Sequence, residues 1–225
     1  PFMFYRDEVN RMNPNKHEGM IYSSNLCTEI MQNMTATRVV SEELDGDIIV
    51  TKKKAGDFVV CNLSSINLPR AVSNNVLNRL VPIQVRMLDN VIELNTIEVL
   101  QAVRTNARYR GIGVGTYGLH HLLALEGIRW ESDEAVQYND SLYEEIAYLV
   151  IKASNILSIE KGSYPLFEGS EWATGEYFNR RGYKTERWNE LREAVENGGM
   201  RNGYLMAVAP NGSTAVIAGT TASID

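Results

Sequence analysis

Strand-like runs alternating with helical ones predict an α/β fold for this chain. Three observations carry the prediction. Short β-branched or aromatic runs, Ile48-Ile49-Val50 and Phe58-Val59-Val60, read as strands. A long segment after Ser132 holds apolar residues at helical spacing, and a second strand-like run from Tyr204 to Ala209 ends in a glycine-containing turn. With 225 residues, 44% of them hydrophobic, the chain can bury the core of one domain or of two small ones.

The first 70 residues read as short apolar pieces between polar turns: Phe2 to Tyr5, Met20 to Tyr22, Asp47 to Thr51 and Phe58 to Val60. The last two, split by Lys52 to Asp57 with Gly56, are expected to form a strand pair or two barrel strands. From Val72 the period changes. Val76, Leu80, Ile83, Met87, Val91 and Leu94 recur at three or four residues, which predicts an amphipathic helix kinked or broken at Pro82. A second helix is expected over Thr96 to Arg108. Ser132 is a good N-cap, followed by Asp133 and Glu134 at the positive end of the helix dipole. Ala135, Tyr138, Leu142, Ile146, Leu149, Ala153 and Ile156 then predict one helix ending at Gly162, with Pro165 beyond. Residues 163–183, rich in glycine and aromatics, read as irregular, and Thr185 to Glu196 as a short exposed helix stopped by Asn197-Gly198-Gly199. Tyr204 to Ala209 delivers Pro210-Asn211-Gly212-Ser213-Thr214 to a helix starting in Ala215-Val216-Ile217-Ala218.

Charge and composition exclude several functions. A formal net charge of -6 leaves no basic footprint for a nucleic-acid polymer, and Lys52-Lys53-Lys54 and Arg180-Arg181 read as solvated turns. No apolar run approaches the roughly 20 residues that span a bilayer, and no secretory pattern opens the chain, so a cytoplasmic protein without membrane contact is expected. Two cysteines make no disulfide framework, and there is no CxxC. Only His17, His120 and His121 could supply imidazole, and the adjacent pair would point apart on a helix, so no metal site is expected. Gly113-Val114-Gly115-Thr116-Tyr117-Gly118 has the letters of a dinucleotide motif. The preceding Asn106 to Arg110 reads as a frayed helix end rather than a strand, so these glycines are expected instead to let a helix pack closely on a barrel strand.

Three places could carry chemistry. In Asn25-Leu26-Cys27-Thr28-Glu29 an amide, a thiol and a carboxylate alternate, and in an extended or tightly looped backbone they share a face. A donor, a reactive sulfur and a proton acceptor would then meet one small ligand. Cys61 opens a second polar run, Cys61-Asn62-Leu63-Ser64-Ser65-Ile66-Asn67-Leu68. Pro210, Asn211, Gly212, Ser213 and Thr214 form a turn ahead of a helix, where free backbone N–H groups and two hydroxyls suit a phosphate. Each also has an ordinary reading: Cys27 as a small buried hydrophobe, Glu29 as a solvated strand residue, Asn25 and Asn211-Gly212-Ser213 as turn formers. A carboxylate two residues from a buried thiol would be costly unless paired or working.

Asn25-Leu26-Cys27-Thr28-Glu29-Ile30, the Cys61 run and Pro210-Asn211-Gly212-Ser213-Thr214-Ala215, with Ile217-Ala218-Gly219-Thr220 behind it, resemble three ordered motifs of the ribonucleotide reductase large chain. The similarity takes in Arg110-Gly111-Ile112-Gly113-Val114-Gly115 and nearly the whole sequence, and Leu26 and Thr28 favour class I over the cobalamin-dependent branch. The resemblance implies part of a ten-stranded α/β barrel of the ribonucleotide reductase and glycyl-radical type, with Cys27 on an inward finger loop. Cys27 would become a thiyl radical that removes the 3′ hydrogen of a ribonucleoside diphosphate. Glu29 would be the base on the 3′ hydroxyl, and Asn25 would hold the ribose beside Leu26 and Thr28. Cys61 would be one thiol of the redox dithiol, and residues 210–214 would bind the diphosphate.

The same resemblance implies a homodimeric full-length protein, a radical-generating small subunit that carries the metal, and a thioredoxin- or glutaredoxin-type reductant. ATP and deoxynucleotide effectors would bind elsewhere, and no cofactor is expected on this segment. The second thiol of the dithiol would lie upstream, and the N-terminal nucleotide-sensing region and the C-terminal tyrosines are absent. Residues 1–225 therefore read as one segment of the catalytic barrel, unable to turn over alone. Two other readings compete: an inert nucleotide-binding or assembly module that keeps the fold, and a thiol hydrolase pairing Cys27 with a histidine, for which none of the three histidines lies in a recognisable motif.

Overall fold

The computed structural model describes residues 3–224, so Phe2 of the first apolar run lies outside the described residues. The architecture is mixed α/β. After a short helix α1 (Arg6–Arg11), strands β1 (Arg38–Asp45) and β2 (Ile48–Lys54) form an antiparallel hairpin. Strand β3 (Leu63–Asn67) runs straight into α2 (Leu68–Ser73), followed by α3 (Leu77–Leu94) and α4 (Leu100–Tyr109). Strand β4 (Gly113–Tyr117) then lies parallel to β3, with Ser65 opposite Gly115. Helices α5 (Leu119–Leu125), α6 (Asp133–Lys161), α7 (Glu176–Arg181) and α8 (Glu186–Gly198) lead to an extended arm at Tyr204 to Ala207 and then α9 (Gly212–Ala218).

The arm runs along the free edge of β4. Ile112 N donates to Tyr204 O (3.0 Å), Val114 N to Leu205 O (2.8 Å) and Ala207 N to Val114 O (3.2 Å). Two helical crossovers thus bring β3, β4 and the arm side by side, the connection that parallel pairing requires. Helix α6 packs along α3 and α8. Val81, Val85 and Leu88 of α3, Ile146, Val150 and Ile151 of α6, and Trp188, Leu191 and Val195 of α8 join Ile66 and Val114 in one core. Each such side chain contributes about 1.5–3 kcal/mol on burial.

The long helix forms where expected. Ser132 Oγ accepts from Ala135 N (3.1 Å), and the helix ends at Gly162, whose φ of +85° suits glycine. Elsewhere the structure corrects the sequence reading. Ile48 to Lys54 pairs with Arg38 to Asp45, not with Phe58 to Val60, because Gly46 (φ +59°) closes a tight local turn. Phe58 instead belongs to a connector fastened to α4, its N–H donating to Thr105 Oγ1 (2.8 Å). The helix expected from Val72 is two helices, divided by Asn75 in the left-handed region (φ +51°), and α3 continues through Pro82.

The buried stripe of α3 is Val81, Gln84, Val85, Leu88 and Asp89, whereas Ile83, Met87, Val91 and Leu94 face solvent. Helix α4 begins at Leu100 rather than Thr96 and ends at Arg110 in the left-handed region. Gly113 to Tyr117 is itself a strand, so its glycines admit neighbouring strands rather than a helix: a Cβ on Gly115 would overlap Ala207 O. The segment 163–183 contains α7, and α8 is docked through Trp188 instead of exposed. Among the described residues, no helix is long and apolar enough to cross a membrane.

Candidate functional site

The segment around Cys27 is a pinched loop. Asn25 Oδ1 accepts from Ile30 N (3.0 Å), Ser24 Oγ donates to Ile30 O (2.8 Å), and Thr28 N donates to Asn25 O (3.1 Å). Ile30 anchors the base of the loop in the interior, and Thr28 takes a left-handed φ of +64°, which only a tight turn demands. Leu26 and Cys27 consequently stand exposed at the tip. The ordinary reading of Cys27 as a buried hydrophobe is therefore wrong. Because the oxygen of Asn25 is committed to the loop, its amide N–H groups are the part able to reach a ligand.

Glu29 differs from its neighbours. It is partly buried, and its Oε2 is shut off from solvent with no hydrogen-bond partner. A buried carboxylate oxygen left unpaired costs several kcal/mol in order of magnitude, so such a group calls for a function. Glu29 also sits on the wall of a cavity of about 810 Å³, with Ile30, Tyr143, Trp188, Met206 and Ala207 among the other residues lining it. Cys27, Cys61 and residues 210–214 are not on that wall.

Cys61 is exposed at the mouth of β3. Its position is fixed from behind by Asn62, whose Nδ2 donates to Asn106 Oδ1 (2.8 Å) and Gly111 O (3.0 Å) and whose carbonyl accepts from Gly113 N (2.8 Å). Upstream, Asp57 is gripped by Arg108 (2.9 Å) and Arg104 (3.3 Å), so α4 holds the approach to this thiol. Partial burial pushes the Cys61 thiol above its ordinary value, and the charges of Glu29 and Cys27 push it further in the same direction. The two thiols and the carboxylate therefore share one electrostatic neighbourhood, and Cys61 is a protonated S–H at neutral pH.

The turn at 210–214 lies beyond the arm. Asn211 adopts a left-handed φ of +53° and caps α9 by backbone alone, while its Nδ2 donates to Ser65 Oγ (2.9 Å) and Ala209 O (2.9 Å). Gly212, Ser213 and Thr214 are exposed, and the first turn of α9 offers N–H groups without intrahelical partners. Cys27 and Glu29 thus share one loop whose charges reach Cys61, and the Asn211–Ser65 hydrogen bond ties the 210–214 turn to the strand that follows Cys61. Sequence reasoning missed Ser65 as that tie. Its partner is 146 residues away, and no local pattern marks such a pair.

None of the three imidazoles hydrogen-bonds a thiol: His17 Nε2 meets Leu166 O, His121 Nδ1 meets Thr220 Oγ1, and His120 lies against Trp130. A cysteine–histidine hydrolase therefore has no support in the geometry.

Comparison with known proteins agrees with the loop and turn motifs. A profile described as "Ribonucleotide reductase, barrel domain" matches residues 1–225. The subunit alpha of ribonucleoside-diphosphate reductase from Treponema pallidum is 52% identical over all of this chain and 27% of its own length. The protein of that name from Helicobacter pylori strain J99 is 38% identical (35% of its length covered), and that from Synechocystis is 36% identical (27% covered). The chain thus spans about a quarter to a third of these relatives. Its match to the profile from end to end makes this chain a member of the ribonucleotide reductase barrel-domain family.

Proposed function

We propose that this chain is a segment of the catalytic barrel of a class I ribonucleoside-diphosphate reductase and carries the groups that attack the ribose. The observation that carries this reading is the unpartnered, buried Oε2 of Glu29 beside two exposed thiols. In the complete protein the parallel pair β3 and β4, with the arm along its edge, would be part of a ten-stranded barrel, and the 25–30 loop its inward finger. A radical-generating partner subunit takes a hydrogen atom from the Cys27 thiol. The Cys27 thiyl then takes the 3′ hydrogen atom of a ribonucleoside diphosphate. Glu29 accepts the 3′ hydroxyl proton, which allows the 2′ hydroxyl to leave as water once a thiol has protonated it.

Cys61 and a second thiol supplied from elsewhere in the complete protein give up two hydrogens, one to the departing hydroxyl and one to C2′, and end as a disulfide. Glu29 returns its proton to the 3′ oxygen, and Cys27 returns the hydrogen atom to C3′, which leaves it a thiyl that takes its original hydrogen atom back from the partner subunit. Ribonucleotide and dithiol become deoxyribonucleotide, disulfide and water, with atoms and electrons balanced. The raised pKa of Cys61 suits this role, because the reductant must hold its proton at neutral pH. Asn25 would orient the ribose, flanked by Leu26 and Thr28. Residues 210–214 would seat the diphosphate, and an external dithiol protein would regenerate the Cys61 pair.

The test is replacement of Cys27 by Ser in the complete subunit, assayed with its radical-generating partner. Loss of deoxynucleotide formation with retained substrate binding is expected. Undiminished turnover would contradict the assignment and favour a module that only binds nucleotide.

A further inference from the structure

Of the three glycines whose spacing imitates a dinucleotide motif, Gly113 and Gly115 touch both the arm that leads to the 210–214 turn and the strand on the other side, and Gly118 meets α2 and the segment after α9. A Cβ on Gly113 would run into Leu63 and Ala207, and one on Gly115 would run into Ala207 O and come within 3.3 Å of Ser65 Oγ. On Gly118 it would lie 2.6 Å from Thr220 Oγ1 and 2.8 Å from Pro69 Cδ. Strand β4 is thus a bare bed with β3 on one side and the arm on the other. Neighbouring strands lie about 4.8 Å apart, so β3 and the arm are separated by roughly twice that.

Ser65 sits opposite Gly115 in the register, and Asn211 follows Ala207 by four residues. The hydrogen bond from Asn211 Nδ2 to Ser65 Oγ (2.9 Å) therefore crosses β4 where it has no side chain. The second hydrogen of the same amide goes to Ala209 O (2.9 Å), so the nitrogen has no N–H left for a ligand.

We propose that Ser65 is a positioning residue for the diphosphate and that the Nδ2 of Asn211 serves it as a brace rather than as a ligand. The pair spans Gly115 and fixes the 212–214 backbone, with the Ser213 and Thr214 hydroxyls, at a set distance from Cys61 along β3. The inference rests on the diphosphate reading given above and adds to it which member of the turn does not touch the phosphate. Because Cys61 and Ser65 lie on one short stretch of chain, the same strand that presents the reducing thiol also sets the register of the phosphate seat.

The experiment uses the complete subunit with its radical-generating partner and compares Ser65→Ala, Asn211→Ala and the double variant. Each single change is expected to raise the KM for ribonucleoside diphosphate roughly three- to tenfold, the range that one net hydrogen bond supplies, with a smaller change in kcat. The double variant should match either single one, since all three remove the same bond. The binding of the parent nucleoside, which has no phosphate, should stay at the wild-type value in all three, whereas general damage to the fold would weaken both ligands. A double-variant penalty equal to the product of the single ones, or equal weakening of nucleoside binding, would overturn the proposal. An unchanged KM in a Ser213→Ala/Thr214→Ala variant would instead overturn the diphosphate reading and this inference with it.

Discussion

Two carboxylates in this molecule, one fully and one partly buried, have opposite surroundings. Asp89, on the inner stripe of α3, is fully buried. Its Oδ1 accepts from Arg110 Nε (3.0 Å) and Nη2 (2.8 Å), from Arg201 Nε (3.2 Å) and from Asn202 Nδ2 (3.2 Å), and its Oδ2 accepts from Lys161 Nζ (3.3 Å). Burial alone would raise its pKa, but the two guanidinium groups outweigh that and hold it below the usual carboxylate range. Glu29 has a buried oxygen with no partner and two thiols close by. A carboxylate that the fold surrounds with donors is holding elements together: here α3, the end of α4, the end of α6 and the approach to the arm. One that the fold leaves unpaired is available to something that is not protein. The difference that separates their roles lies in the partners.

Four changes would break or sharpen this contrast. The largest effect is expected from Glu29→Gln in the complete reductase subunit. Turnover should fall by about 10²–10⁴-fold, the usual contribution of a general base, while the melting temperature stays at the wild-type value. A stability loss with intact turnover would make Glu29 another Asp89. Next is Asp89→Asn, which leaves Arg110 and Arg201 buried without their counter-charge and should cost about 3–5 kcal/mol in the urea unfolding free energy. A change under about 1 kcal/mol, the level of an exposed pair, would show that the cluster does not hold the helices.

The pH dependence follows from the sign of the Asp89 shift. A carboxyl with a depressed folded-state value stabilises fully above the unfolded value near 4 and loses that contribution as pH falls through the lower folded value. The urea midpoint of the wild type should therefore drop on acidification below about pH 4, and that of Asp89→Asn should drop less. The smallest effect concerns Cys61. Because its thiol titrates above the ordinary value, its alkylation by iodoacetamide should accelerate only as pH passes about 9. Rapid alkylation at pH 7 would mean that neither burial nor the charge of Glu29 holds the thiol protonated.

The same two carboxylates explain what was legible in the sequence. Local signals were sufficient for α6, where Ser132, Gly162 and an unbroken apolar period define both ends. They failed for α3 because Gln84 and Asp89 interrupt the buried stripe, while Ile83, Met87 and Val91 mimic one on the outer face. Only the arrival of Arg110 and Arg201 from distant elements makes an aspartate acceptable inside. The hairpin of β1 and β2 is exposed on both faces, so no alternation of apolar and polar residues marks its first strand. The candidate site depends less on distant contacts than the fold around it. Asn25, Cys27 and Glu29 lie within one loop, so their spacing is visible in the sequence, and the second thiol follows in a polar run of the same kind. The brace between Ser65 and Asn211 and the bare bed of Gly113 and Gly115 are contacts between segments far apart in the chain, and they become visible only when β3, β4 and the arm lie side by side.

The most direct test of the central claim is a structure of the complete subunit with a ribonucleoside diphosphate bound. The account predicts the ribose C3′ about 3–4 Å from Cys27 Sγ, a Glu29 oxygen in hydrogen-bond range of the 3′ hydroxyl, and the diphosphate on the 212–214 backbone. A ribose bound away from the 25–30 loop, with Glu29 Oε2 closed off by another part of the subunit, would contradict it.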